Sequence, residues 1–114
     1  MRLGAQRVIL SPGSKVAEIY GKDEIWERHR HRYEINPKYI EALASQGLVV
    51  GGMSVDGRVE VLELSGHPFF LGVQFHPEFL SRPEAPHPLY LGLVRAALAR
   101  KEVASPVAPA PALA

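Results

Sequence analysis

The chain has 114 residues, 46% of them hydrophobic, which suffices for one small domain with a core and is too apolar for global disorder. A formal net charge of +1 gives no ground for a polyanionic partner, and the absence of cysteine excludes disulfides, thiolate metal sites and a cysteine nucleophile within these residues. No apolar run reaches membrane-spanning length and no signal-peptide core follows Met1, so the expected location is the cytoplasm.

Residues 1–10 read as a strand, firmest at Val8-Ile9-Leu10 and stopped by Ser11-Pro12-Gly13. Ser14 is placed to cap a short helix reaching Tyr20, with Val16, Ile19 and Tyr20 on one face and Gly21 as its terminator. Residues 25–35 are extended and heavily charged. Asn36-Pro37 starts a second helix, a cap residue followed by proline at the first helical position; Ile40, Leu43 and Ala44 form its stripe and Gly47 ends it. Residues 48–55 and 58–64 are strands joined by Asp56-Gly57, the strongest hairpin signal in the chain. Apolar alternation slips between Val61 and Leu62, which marks a bulge or a change of facing.

Residues 69–75 are apolar except for Gln74 and read as a strand covered on both faces, closed by Pro77. After a loop holding Pro83, Pro86 and Pro88, residues 89–100 are helical, with Leu89, Leu93, Ala96 and Ala97 on one face. The domain is expected over residues 1–101, and residues 102–114 form a Pro/Ala-rich tail expected to be disordered.

Two clusters carry chemistry. His76 and Glu78 flank Pro77 just past a strand end; extended geometry turns both to one side, so Glu78 can hold one imidazole nitrogen and leave the other to move a proton. The plain alternative is a structural histidine. A metal reading that recruits His67 or His87 lacks ligand spacing, so no metal site is expected. Along residues 28–34, Arg28, Arg30, Arg32 and Glu34 face one way and His29, His31 and Tyr33 the other. A solvated edge strand, a nucleic-acid strip and an arginine clamp for an amino-acid carboxylate all fit that pattern.

Gly72-Val73-Gln74-Phe75-His76-Pro77-Glu78 resembles the signature that closes the catalytic site of class I glutamine amidotransferases. Arg28-His29-Arg30-His31-Arg32-Tyr33-Glu34-Ile35-Asn36 is more specific and resembles the corresponding segment of the CTP synthase family. Met1-Arg2-Leu3-Gly4 and His87-Pro88-Leu89-Tyr90 resemble that family in the same order and spacing, so the resemblance covers everything but the tail.

The resemblance implies an α/β fold, the C-terminal portion of a flavodoxin-like class I glutamine amidotransferase domain with a mixed sheet and flanking helices. It implies glutamine hydrolysis by a cysteine–histidine–glutamate triad, with His76 as its histidine, Glu78 as its carboxylate, Arg32 holding the glutamine and Tyr33 lining the pocket. The ammonia would pass to a separate synthetase domain that uses ATP and magnesium to aminate UTP to CTP. The ATP, UTP and GTP determinants lie mostly elsewhere, and the family's homotetramer forms through a domain absent here. No cofactor, nucleic acid or membrane is expected on this chain. The half-domain with the nucleophilic cysteine and oxyanion donors is missing, so these residues alone are expected to be inactive and poorly stable or self-associating. The alternative is a non-catalytic amidotransferase-like relic or binding module.

Overall fold

The computed structural model describes residues 2–104. The chain runs β1 (Arg2–Leu10), α1 (Lys15–Tyr20), β2 (Glu24–His31), a 3-10 turn (Pro37–Tyr39), α2 (Ile40–Ser45), β3 (Leu48–Ser54), β4 (Val59–Leu64), β5 (Leu71–Val73), a second 3-10 turn (Pro77–Leu80) and α3 (Pro88–Ala104). The five strands make one sheet in the order β2-β1-β3-β4-β5, and every pairing in it is antiparallel.

Local chemistry sets the short elements. Ser14 Oγ accepts from the Ala17 N–H at 3.1 Å, and Gly21, at φ 72°, closes α1 by donating its N–H to the Ala17 carbonyl. Asn36 Oδ1 accepts from the Lys38 N–H at 3.0 Å and opens the turn that leads into α2. Between β3 and β4, Gly57 sits at φ 86°, a conformation that glycine alone adopts without strain, and its N–H meets the Ser54 carbonyl.

The β3–β4 register skips Gly51 and Glu60, close to the slip the alternation marked at Val61. As a result Val59, Glu60 and Val61 are all buried, where a regular strand would turn one of them outward. Val8, Leu10, Val16, Ile25, Val61, Phe75 and Leu89 form the core between sheet and helices. Each buried side chain of this kind contributes about 1.5–3 kcal/mol through removal from water.

Three expectations change. β5 is not a strand covered on both faces but a three-residue edge strand, paired among the described residues only with β4; Phe70 and Gly72 are exposed and Phe75 turns into the core. On α3, Leu89, Gly92 and Ala96 face inward while Leu93 is 50% exposed. Gly92 causes this, because a Cβ there would lie 3.1 Å from the Phe69 ring and 3.3 Å from Ile19, so the helix approaches along its glycine. Finally α3 continues to Ala104, past its expected end, and residues 105–114 of the expected tail lie outside the described residues.

The sheet curls on itself. Past β5 the His76 N–H donates to the Arg28 carbonyl on β2 at 2.9 Å, so the chain leaving one edge strand reaches the strand at the other edge.

Candidate functional site

His76 stands where the chain leaves β5, held by that backbone bond to Arg28. Pro77 starts the 3-10 turn behind it and fixes the extended geometry of His76, at φ −114° and ψ 92°. The turn brings Phe79 parallel to the imidazole, centroids 5.0 Å apart at 22°. Glu78 Oε2 lies 2.8 Å from His76 Nδ1. A carboxylate accepts only, so Nδ1 carries the proton and Nε2 presents its lone pair outward. The imidazole is about one-third exposed and the carboxylate about half, so a substrate can reach both. The hydrogen bond from His76, and next the Glu78 backbone N–H, hold the Glu78 carboxyl below its ordinary range. The pair can therefore take a proton at Nε2 while Glu78 orients and balances the ring.

Arg32 and Tyr33 follow the end of β2 on an exposed segment; Tyr33 is 83% exposed. Among the described residues no hydrogen bond or ion pair joins Arg32 to His76 or Glu78. Arg28, which touches His76 through its carbonyl, lies four residues earlier, about 13 Å along an extended strand. The segment is anchored next door, where Arg58 Nη1 donates to both Glu34 oxygens at 3.0 and 2.9 Å. Glu34, and then Asp56, raise the pKa of Arg58.

Sequence reasoning missed a set of buried ionisable residues. Glu27 is 2% exposed and accepts from the Tyr20 hydroxyl at 2.6 Å and from His87 Nε2. His87 Nδ1 accepts from the Leu89 N–H, which places that ring's proton on Nε2. Glu63 accepts from the Lys15 and Val16 N–H groups at 2.8 and 3.0 Å and so closes the start of α1 from β4. His29 and Glu60, each 1% exposed, meet His31 inside the curled sheet. The signal that could have found them is two glutamates, Glu60 and Glu63, inside an otherwise apolar strand.

A model of the glutamine amidotransferase class-I family matches residues 1–96. The CTP synthase of Sulfurisphaera tokodaii is 55% identical over 97 residues, covering 85% of this chain and 18% of that protein. The CTP synthase of Cereibacter sphaeroides is 59% identical over 99 residues, covering 86% of this chain and 18% of that protein. Among solved structures, the glutaminase domain of Trypanosoma brucei CTPS with bound acivicin is similar at 44% identity and a TM-score of 0.80, over 87% of this chain and 40% of that one. The chain thus spans under a fifth of the length of these curated relatives.

Proposed function

The chain belongs to the class-I glutamine amidotransferase family and carries part of its α/β fold, and from that premise we propose that it supplies the histidine–glutamate pair of a cysteine–histidine–glutamate triad in a CTP synthase. In this reading His76 Nε2 takes the proton of a cysteine thiol, the thiolate attacks the glutamine amide, and the imidazolium returns the proton to the departing ammonia. Glu78 keeps the ring in the tautomer that leaves Nε2 open and stabilises its charged form. The observation that carries the reading is the 2.8 Å Nδ1–Oε2 contact beside an accessible imidazole. Arg32 is proposed to grip the α-carboxylate of glutamine through its planar fork, with Tyr33 lining the pocket. The ammonia would serve ATP- and magnesium-dependent amination of UTP to CTP, on residues other than these. The same reading puts the chain in the cytoplasm.

These 114 residues contain no cysteine, so the nucleophile must come from a further stretch of polypeptide. That fact also favours a second reading, a non-catalytic amidotransferase-like module that keeps the fold. Mixing the chain with the cysteine-bearing remainder of a related glutaminase domain and assaying ammonia release separates the two. Release that requires both His76 and Glu78 supports the triad. Release that survives His76→Ala, or none in a mixture shown to form a complex, rejects it in favour of the second reading.

A further inference from the structure

We propose that His29, His31 and Glu60 form a binding site for one divalent transition-metal ion of the zinc class, inside the curled sheet and separate from the His76–Glu78 pair. Three potential ligand atoms converge there. His29 Nδ1 lies 3.0 Å from His31 Nε2 and 3.6 Å from Glu60 Oε1, and His31 Nε2 lies 3.9 Å from the same oxygen. Ligands on a tetrahedral zinc with bonds of 2.0–2.1 Å stand about 3.3–3.4 Å from one another. The observed triangle brackets that value, so an ion needs only small side-chain adjustments to bond all three atoms.

The surroundings support the same assignment. His31 Nδ1 lies 3.1 Å from the Tyr33 carbonyl, which only accepts, so its proton sits on Nδ1 and Nε2 offers its lone pair to the centre. Histidine ligands to metals are oriented by a hydrogen bond of this kind on the other nitrogen. The His29 ring is set edge-on against Phe75 at 5.8 Å. His29 and the Glu60 carboxylate are buried, while the His31 side chain is 11% exposed and gives an entry. Without metal, His29 Nδ1–H donates to His31 Nε2; an ion takes that place as the proton shifts to Nε2 of His29.

Donor chemistry sets the ion. Two imidazoles and one carboxylate suit zinc, cobalt or nickel, whereas magnesium and calcium take oxygen ligands. Three protein ligands leave one position of a tetrahedron for water. The ion would also tie β2 to β4, strands that are not neighbours in the sheet, so binding should stabilise the fold.

The test uses the full 114-residue chain and the metal alone. Equilibrium dialysis with Zn2+ should give one ion per chain, and Co2+ should give the visible absorption of a four-coordinate site. His31→Gln and Glu60→Gln should each weaken binding at least about tenfold to a hundredfold, while His67→Ala and His76→Ala leave it unchanged. Zn2+ at a hundredfold excess over Kd should raise the folded-to-unfolded ratio about a hundredfold, read as a higher urea midpoint. X-ray absorption on the unaltered chain should count two imidazole ligands, a readout independent of whether any variant folds. Sub-stoichiometric binding, a spectrum without imidazole ligands, or affinity that persists in both His31→Gln and Glu60→Gln would overturn the assignment.

Discussion

Replacing Tyr20 by phenylalanine removes one hydroxyl and leaves the ring where it is. That hydroxyl donates to Glu27 Oε2 at 2.6 Å, and the carboxylate it serves is buried. A hydrogen bond to a charged acceptor contributes about 1.5–3 kcal/mol. Here His87 Nε2 stays on the same oxygen, so Glu27 keeps one donor and the loss falls at the low end, about 1.5–2 kcal/mol. At about 3–6 °C per kcal/mol for a chain of this size, Tm should drop by roughly 5–12 °C.

A pH signature distinguishes this bond from generic packing. Burial first, and then Glu27, push the Tyr20 hydroxyl far above its ordinary value of 10.0. The folded pKa is raised, so its stabilisation is present below pH about 10 and drains away above it, as the unfolded chain ionises and the folded chain does not, by about 1.4 kcal/mol per pH unit. The Tyr20→Phe variant has no hydroxyl to ionise and so no such loss. Urea unfolding followed by circular dichroism, on both proteins from pH 7 to 11 at matched concentration, reads both effects. A variant within about 0.5 kcal/mol of the original at pH 7, or a gap that stays constant through pH 10 to 11, would refute the reasoning.

Gly52→Ala should cost about 1–3 kcal/mol by overpacking, because its Cβ would meet Leu10, Val61 and Val8 at 3.1, 3.2 and 3.2 Å; an unchanged urea midpoint would count against that. Glu63→Ala leaves the Lys15 and Val16 N–H groups without their carboxylate and should cost about 2–4 kcal/mol, with faster amide exchange concentrated in α1. The 114-residue chain by itself should release no ammonia from glutamine, and an activity abolished by Arg32→Ala would contradict this. In a reconstituted glutaminase, His76→Ala should lower kcat by up to the order of a million-fold and Glu78→Gln by the order of ten-thousand-fold. Equal, small losses from the two would argue that the pair is only structural.

The features legible in the sequence are those decided within a few residues. Ser14 and Gly21 bound α1, Asp56-Gly57 turns the hairpin, and Pro77 with its two flanking residues brings imidazole and carboxylate together. Each depends on a side chain or dihedral acting on its own neighbourhood. The misreadings depend on partners distant in sequence. Gly92 rather than Leu93 faces inward because Ile19 and Phe69 approach α3 there. The apolar run before His76 reads as a strand covered on both faces, but among the described residues only β4 pairs with it. Strand alternation sets His29 and His31 on one face, yet their burial with Glu60 follows from a sheet that curls and a β3–β4 register that skips one residue on each strand.

That curl makes β2 the reference for both sites. Its inward positions are Ile25, Glu27 and His29, which serve the core, the Tyr20–His87 network and the Glu60 cluster in turn. Its Arg28 carbonyl, in between, receives the His76 N–H. Because strand side chains alternate, a slip of one residue against β1 would expose His29 and Glu27, bury Arg28 and Arg30, and displace the acceptor that holds His76. Burying either arginine without a partner would cost several kcal/mol, so the eight-residue register between β1 and β2 is strongly specified. The position of His76 is therefore inherited from the inward polar residues of β2, and damage to Glu27 or His29 should reach the His76–Glu78 pair.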